Sequence, residues 1–159
     1  MEYDKIIELV KEASLFVFDK ELRDSISMKG EADFVTAVDL KISNYIKEKL
    51  QLLTPEIGFM SEEEDAELVS ERWILDPIDG TTNLVYNYNM SSISLAHFNG
   101  KQIVFGVIYN PYNKDLFVAK AGEGAYLNGN KLKFAPDREI EKCLIEFGAG
   151  STKKQYSMP

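Results

Sequence analysis

The stretch that most constrains this chain covers residues 73–83, Trp73-Ile74-Leu75-Asp76-Pro77-Ile78-Asp79-Gly80-Thr81-Thr82-Asn83. The apolar residues from Trp73 to Leu75 predict a short buried strand. Pro77 is expected to end this strand, because proline lacks the backbone donor of a sheet ladder. Asp79-Gly80 is a typical turn pair, and the residues from Thr81 onward favour the start of a helix. The sequence therefore predicts a strand, a tight turn and a helix, with two carboxylates where the strand ends.

The predicted turn offers two kinds of binding group. Carboxylate oxygens suit a hard cation such as Mg²⁺, which proteins commonly hold through one or two carboxylates and the phosphate of a substrate. Backbone N–H groups at the start of a helix suit the phosphate itself. Asp-Pro and Asp-Gly turns also occur without any catalytic role, so the turn alone leaves a purely structural interpretation open.

Composition and charge limit the remaining classes of function. The chain has 159 residues, of which 45 % are hydrophobic, and this is typical of one globular domain with a substantial core. The formal net charge of −8 argues against unspecific binding to nucleic acid or to an anionic membrane. A phosphate ligand remains compatible with that charge, because a bound divalent cation reverses the local sign. No apolar leader heads the chain, so a cytoplasmic protein is expected by default.

The complete string of residues 76–83, Asp-Pro-Ile-Asp-Gly-Thr-Thr-Asn, resembles the signature of the inositol monophosphatase family. This family belongs to a superfamily of Mg²⁺-dependent, lithium-sensitive sugar phosphatases. The resemblance implies metal ligands at Asp76, at the Ile78 carbonyl and at Asp79. It implies phosphate binding by the Gly80 and Thr81 amides. It further implies two or three Mg²⁺ ions in a complete site, a small phosphorylated metabolite as the substrate, and a homodimer.

A second segment, Asp33-Phe34-Val35-Thr36-Ala37-Val38-Asp39, precedes a predicted amphipathic helix that starts near Thr36. One interpretation makes Thr36 the N-cap and Asp39 its capping-box partner, which accounts for both residues through stability alone. The segment also resembles the family's Asp-Leu-Val-Thr-x-x-Asp sequence. That resemblance implies that Asp39 orients Thr81 and helps to polarise the attacking water, with Thr36 nearby. Lys29 is close to the position of a family lysine of the metal site, although its spacing to Asp33 is one residue shorter.

A third segment places Ser61 before four consecutive acidic residues, after a predicted short strand that starts at Ile57. Such a run is usually a solvated face or the start of a helix. The resemblance to the family implies instead that Glu62 bridges the metals and takes part in catalysis, with Glu63 behind the site. Ser61 stands where the family has glycine. If that glycine has a positive φ, serine costs about 1 kcal/mol or more and shifts Glu62.

The other segments carry no predicted chemistry. Apolar spacing predicts one long helix from Tyr3 to about Ile26, broken by Gly30. Alternation and turn residues from residue 92 onward predict antiparallel strands. His97 shares a strand face with apolar residues and is expected to be packed rather than catalytic. The single Cys143 excludes an internal disulfide and is expected to be a buried thiol in a strand that continues to Phe147.

Together these segments predict a single α+β domain over residues 1–159. It corresponds to the N-terminal part of the layered αβαβα sugar-phosphatase fold, with two amphipathic helices packed on a mainly antiparallel sheet. The family's C-terminal α/β segment is expected to be absent, together with a Trp-Asp motif whose Asp completes the second metal site. Ile103, Phe105 and Val107 are then expected to lack cover, and the chain is expected to associate.

Two hypotheses about function follow from the sequence. The first is a Mg²⁺-dependent phosphomonoesterase that hydrolyses a small sugar or inositol phosphate by direct attack of a metal-activated water. Fructose 1,6-bisphosphate, histidinol phosphate and adenosine bisphosphate are alternative substrates within this hypothesis. The second is a truncated, catalytically inactive module that binds metal or phosphate or that associates. The activity of this chain alone stays open between the two.

Overall fold

A seven-stranded sheet with helices on one face organises the chain in the computed structural model, which describes residues 2–30, 33–61, 70–133 and 136–145. The helices are α1 (Tyr3–Ala13), α2 (Lys20–Asp24), α3 (Ala37–Leu53) and α4 (Thr81–Val85), with 3₁₀ turns at Ser14–Phe18 and Ile140–Lys142. A separate hairpin contains β1 (Ile26–Gly30) and β2 (Asp33–Thr36). The large sheet contains β3 (Gly58–Ser61), β4 (Arg72–Asp79), β5 (Ser92–Phe98), β6 (Ile103–Asn110), β7 (Asp115–Lys120), β8 (Gly124–Leu127) and β9 (Asn130–Lys131).

The strands of the large sheet lie in sequence order, from β3 at one edge to β9 at the other. Only β3 and β4 pair in parallel, and every later pair is antiparallel. This arrangement confirms the predicted α+β fold and the mainly antiparallel sheet. The hairpins predicted at Asn99-Gly100 and at 111–114 join β5 to β6 and β6 to β7.

The pairing register gives the sheet two different faces, because residues aligned across neighbouring strands share a face. Leu75, Leu95, Val107 and Val118 are aligned in one row on the face that α1 and α3 cover. A neighbouring row on the opposite face contains Asp76, Ser94, Ile108, Phe117 and Leu127. We call this opposite face the open face, since no described helix packs on it.

The expectation that Ile103, Phe105 and Val107 lack cover is wrong for two of these residues. Phe105 and Val107 are buried, because they belong to the helix face, where the ring of Tyr3 in α1 stacks on Phe105 at a centroid distance of 4.1 Å. Ile103 is exposed. The other exposed large apolar side chains of β6 and β7 are Ile108 and Phe117, which lie on the open face.

The long N-terminal helix predicted from Tyr3 to Ile26 is also wrong. Helix α1 ends at Ala13, where the Ser14 hydroxyl donates to the Lys11 carbonyl at 2.6 Å. Asp19 then starts α2 by accepting hydrogen bonds from two backbone amides, at 3.0 and 3.2 Å. Serine and aspartate compete in this way with continued helix, because their side chains bond to nearby backbone groups. Gly30 consequently ends a strand and breaks no helix.

Two predictions about strand limits need correction. Strand β4 continues through Pro77 to Asp79, but its register with β5 shifts between Asp76 and Asp79. Proline is tolerated at such an irregularity, because regular ladder pairing is interrupted there. Residues 143–145 form no strand, and Cys143 is exposed rather than buried. Leu144 beside it is also exposed, as are all residues from 136 to 145; residues 146–147 lie outside the described part.

A buried relay connects the end of α3 to the sheet. The Trp73 indole N–H donates to the Thr54 hydroxyl at 3.0 Å, and that hydroxyl donates to the Leu50 carbonyl at 3.0 Å. Thr54→Val keeps the side-chain shape but leaves the indole N–H without an acceptor. We expect the free energy of unfolding to fall by about 1–3 kcal/mol, as measured by urea denaturation. Thr54→Ser retains the acceptor and should cost less; equal losses for both variants would contradict the role of this relay.

Candidate active site

The turn after β4 has a geometry that only glycine adopts without strain. Gly80 has a φ of +89° and forms the N-cap of α4. A Cβ atom there would lie 3.0 Å from the Met90 carbonyl oxygen and 3.1 Å from the Asn83 side-chain nitrogen. The Gly80 carbonyl accepts the first helical hydrogen bond, from Leu84 N–H at 3.1 Å. Sequence reasoning located this turn correctly, and the positive φ explains why glycine follows Asp79.

Asp39 connects the second sequence segment to this turn. It is 1 % exposed, and its Oδ2 accepts hydrogen bonds from the Thr36 N–H at 2.8 Å and the Thr36 hydroxyl at 2.6 Å. Its other oxygen, Oδ1, accepts a hydrogen bond from the Thr81 hydroxyl at 3.1 Å. The capping box and the contact with Thr81 therefore exist together, because the two carboxylate oxygens face different partners. The capping box and the contact with Thr81 that the resemblance implied are therefore compatible with each other.

The Thr81 hydroxyl has one proton and two acceptors within reach. Besides Asp39, the Ile78 carbonyl oxygen lies 3.0 Å from Thr81 Oγ1. The carboxylate is the stronger acceptor, because a charged partner makes a hydrogen bond stronger. When the proton is directed to Asp39, the lone pairs of Oγ1 are available to accept a hydrogen bond from another group.

The predicted metal-binding residues of β4 lie at the end of that strand. Asp76 is half-buried on the open face, the Ile78 side chain is buried, and Asp79 is exposed. All the oxygens offered here are hard donors, and this donor set suits Mg²⁺ better than Zn²⁺. Within the described ranges no three Asp, Glu, His or Cys residues come close enough to hold an ion. Glu62 and Glu63 lie outside the described residues, and Lys29 is described only as part of β1.

Ser61 does not have the backbone strain that was considered for serine at the position of the family's glycine. It is the last residue of β3, and it is absent from the residues with positive φ in the described part of the chain. Its side chain is buried and accepts a hydrogen bond from the Ser43 hydroxyl at 3.1 Å. Serine at this position therefore connects β3 to α3 just before the acidic run.

Sequence reasoning missed the residues that support the turn from behind. The Ser91 hydroxyl donates to the Gly80 carbonyl at 2.9 Å, and the Asn83 side-chain amide donates to the Met90 carbonyl at 2.7 Å. The buried Tyr112 phenol lies beside Ser91; burial raises the pKa of Tyr112, while Arg23 opposes this shift. Only Asn83 belonged to a recognisable motif, and no local pattern marks a serine that contacts a turn eleven residues earlier.

His97 has a structural environment. It is 4 % exposed, its Nδ1 and Nε2 atoms lie 2.9 Å from the Tyr3 hydroxyl and the Glu71 carboxylate, and its ring stacks on Trp73. The expectation of a packed histidine is confirmed. Its hydrogen bonds connect β5 to α1 and to Glu71, the residue before β4, away from the turn at Gly80.

Comparison with known proteins identifies the family of this chain. The family model described as "Inositol monophosphatase family" matches residues 2–157. The chain therefore belongs to the inositol monophosphatase family, as the sequence motif predicted.

Individual relatives agree with this assignment. An inositol-1-monophosphatase of Mesorhizobium japonicum is 39 % identical over 126 residues, which is 77 % of this chain and 47 % of the relative. Inositol monophosphatase 1 of Rattus norvegicus is 31 % identical over 157 residues, which is 95 % of this chain and 55 % of the relative. A solved structure of a Thermotoga maritima IMPase superposes with a TM-score of 0.81 at 30 % identity, covering 88 % of this chain and 56 % of that one.

These matches cover only part of each relative. The chain spans about half the length of the curated relatives it matches, and the fold corresponds to the N-terminal half of the solved structures. None of the helices in the described ranges is long and apolar enough to span a lipid bilayer.

Proposed function

We propose that the protein containing this chain is a Mg²⁺-dependent phosphomonoesterase that hydrolyses a small sugar or inositol phosphate by direct attack of water. The observation that carries this proposal is the hydrogen bond between the Thr81 hydroxyl and Asp39 Oδ1 at 3.1 Å. It joins two motifs that are 42 residues apart in the sequence. Capping alone requires only the contact between Asp39 and Thr36, so the additional bond to Thr81 supports a role in catalysis.

The oxygens at the end of β4 fit a divalent cation. Asp76, the Ile78 carbonyl and Asp79 would hold the ions together with Glu62, and two or three ions are proposed for the complete site. Bound Mg²⁺ supplies charge neutralisation for the phosphate and activation of a water molecule. A solved IMPase/NADP phosphatase with 28 % identity to this chain was crystallised in complex with Mg²⁺ and phosphate, and this supports the same cofactor here.

The side chains of the chain itself would orient the reacting groups. Asp39 accepts a hydrogen bond from the Thr81 hydroxyl. Thr81 Oγ1 would in turn accept a hydrogen bond from the attacking water and raise the nucleophilicity of that water. Glu62 would accept the proton of that water as a second catalytic carboxylate. The Gly80 and Thr81 amides would bind the phosphate oxygens. Thr36 keeps Asp39 in place through two hydrogen bonds, and Glu63 and Lys29 are proposed to support the ligands from behind.

A second candidate is a module that binds metal or phosphate without turnover. The coverage of about half of each relative favours this candidate for the isolated chain. The phosphate ester is also open within the first candidate: an Aquifex aeolicus relative, 31 % identical, is named a fructose-1,6-bisphosphatase/inositol-1-monophosphatase. Histidinol phosphate and adenosine bisphosphate remain alternatives. A cytoplasmic homodimer that binds neither nucleic acid nor membrane is proposed for the whole protein.

Magnesium binding tests the proposed site. We expect Asp76→Asn to weaken Mg²⁺ binding at least about tenfold, because a neutral amide replaces a charged ligand. Isothermal titration calorimetry measures this affinity. Asp4→Asn removes the same charge from an exposed position in α1 and should leave the affinity unchanged. Equal Mg²⁺ affinity of the wild type and Asp76→Asn would remove Asp76 from the proposed site.

Phosphate release from inositol 1-phosphate separates the two candidates. We expect little or no release by the 159-residue chain and Mg²⁺-dependent release by a version extended to the length of its relatives. Absence of activity in the extended protein would contradict the phosphatase proposal. Substantial activity of the chain alone would exclude the inactive module.

A further inference from the structure

One side-chain hydrogen bond to the turn comes from a residue outside the family motif, namely Ser91. This residue directly precedes β5 and is 3 % exposed. Its hydroxyl donates to the Gly80 carbonyl at 2.9 Å, and the same carbonyl accepts the Leu84 N–H at 3.1 Å. Both hydrogen bonds hold the oxygen of one peptide unit, one from a serine side chain and one from the backbone of α4.

A second pair of hydrogen bonds holds the same two segments together. The Asn83 side-chain amide donates to the Met90 carbonyl at 2.7 Å, and the Asn83 carbonyl accepts the Tyr88 N–H at 2.8 Å. The chain that enters β5 is therefore fixed to the turn at Gly80 and at Asn83. Ser91 keeps its position relative to Gly80 because this loop is closed on itself.

Because the peptide group is planar, the contact between Ser91 and the Gly80 carbonyl also fixes the direction of the Thr81 N–H. The carbonyl of Gly80 and the N–H of Thr81 belong to one planar trans peptide unit, in which the two groups point in opposite directions. A carbonyl held towards Ser91 consequently directs the Thr81 N–H away from Ser91. Gly80 at φ +89° has no Cβ atom to restrict this unit, so the hydrogen bonds from Ser91 and from Leu84 to its carbonyl supply the restriction.

We propose that Ser91 is a positioning residue that fixes the Gly80–Thr81 peptide so that the Thr81 N–H faces the bound anion. This inference rests on the proposed function in one respect, namely that the Thr81 amide binds phosphate. Ser91 itself does not contact the anion; it acts through the Gly80 carbonyl. Removal of its hydroxyl lets the peptide unit rotate, and the amide then spends only part of the time in the binding orientation.

Three variants separate orientation from packing and from stability. Ser91→Ala removes the hydroxyl, and Ser91→Cys removes the strong donor while keeping most of the volume, since a thiol donates only weakly. Ser14→Ala is the matched control, because the buried Ser14 hydroxyl also donates to a backbone carbonyl, that of Lys11 at 2.6 Å. It lies at the end of α1 and contacts no residue of the turn.

Two measurements on the 159-residue chain decide the inference. Amide hydrogen exchange of Leu84, followed by NMR without any ligand, reports on the Gly80 carbonyl directly. We expect it to accelerate about tenfold in Ser91→Ala and Ser91→Cys, the effect of losing one hydrogen bond, and to stay unchanged in Ser14→Ala. Titration with inorganic phosphate in saturating Mg²⁺, followed by ³¹P NMR, should show about tenfold weaker binding in both Ser91 variants, with Mg²⁺ affinity unchanged within about twofold.

The outcomes distinguish the inference from the proposed function. Wild-type behaviour of Ser91→Cys in both measurements would overturn the inference, because packing rather than the hydrogen bond would then be responsible. Equal phosphate affinity of all variants, with phosphate bound by the wild type, would also overturn it. If the wild type binds no phosphate while Leu84 exchange responds to both Ser91 variants, phosphate binding at this turn is wrong and control of the Gly80 peptide by Ser91 is supported. If Ser91→Ala does not fold, Ser91→Cys decides.

Discussion

Asp39→Ala is expected to lower the free energy of unfolding by about 2–4 kcal/mol. The substitution removes the acceptor of the Thr36 N–H, the Thr36 hydroxyl and the Thr81 hydroxyl at once. The Thr81 hydroxyl can turn to the Ile78 carbonyl at 3.0 Å, but the buried Thr36 N–H has lost its side-chain acceptor. Each buried donor left unsatisfied costs about 1–3 kcal/mol, and a domain has only about 5–15 kcal/mol in total. Urea denaturation measures the loss.

Asp39→Asn separates the structural role of this residue from its proposed catalytic role. If the amide oxygen faces Thr36, the amide nitrogen faces Thr81 and donates to its hydroxyl, which then donates to the Ile78 carbonyl. Every hydrogen-bonding group of the network keeps a partner, so we expect the fold to lose only about 1 kcal/mol. The Thr81 oxygen, however, now accepts a hydrogen bond from the introduced amide and no longer has its lone pairs directed at a water.

The expected kinetic result follows from the changed hydrogen bonding of the Thr81 hydroxyl in Asp39→Asn. In a form of the protein that hydrolyses phosphate esters, Asp39→Asn should lower kcat by at least about a hundredfold with little change in KM, because general-base assistance contributes about 10²–10⁴-fold. Phosphate release under saturating substrate measures this change. Glu48→Gln, an equally isosteric change at an exposed position in α3, serves as the control. A fully active Asp39→Asn variant would show that Asp39 only caps the helix.

Local patterns predicted the central turn because the residues that form it are consecutive in the sequence. Asp79-Gly80 indicated a turn, and the structure shows the positive φ that makes glycine necessary there. Thr36 and Asp39 indicated a helix start, and α3 begins at Ala37 with a capping box. The contact between Asp39 and Thr81 spans 42 residues, and no spacing rule reveals such a contact. It was expected only because the family resemblance implied it.

The incorrect predictions share a physical cause. In each case an interaction with another part of the chain decided the local structure, and a local sequence pattern does not include such interactions. Apolar spacing continued past Ala13, but Asp19 offered a better start for a new helix. Pro77 was expected to end β4, but the strand continues through Pro77, where its pairing register with β5 shifts. Cys143 had the neighbours of a buried strand, yet burial requires a partner surface, and residues 136–145 are all exposed in the structure. Tertiary contacts decided each of these cases.

The open face of the sheet presents apolar side chains that no described element covers. Ile108, Phe117 and Leu132 are 44 %, 40 % and 42 % exposed, and they border a depression of about 250 Å³. Asp76 is aligned in the same row as Ile108 and Phe117, so a surface that covers this face also approaches the proposed metal site. Contiguous apolar patches of more than a few hundred Å² promote association in water.

We therefore expect the isolated chain to self-associate and to bind a hydrophobic dye, and we expect Phe117→Lys to reduce both. A lysine there adds a charge to the centre of the patch, and like charges on two facing copies repel each other. Ile103→Lys is the matched control, since Ile103 is 49 % exposed at the start of β6 and does not border this depression. Sedimentation velocity should show a concentration-dependent mass for the wild type and Ile103→Lys, and mainly monomer for Phe117→Lys, with dye fluorescence falling several-fold. A dye-silent wild-type monomer would show that the open face is stable in water and needs no cover.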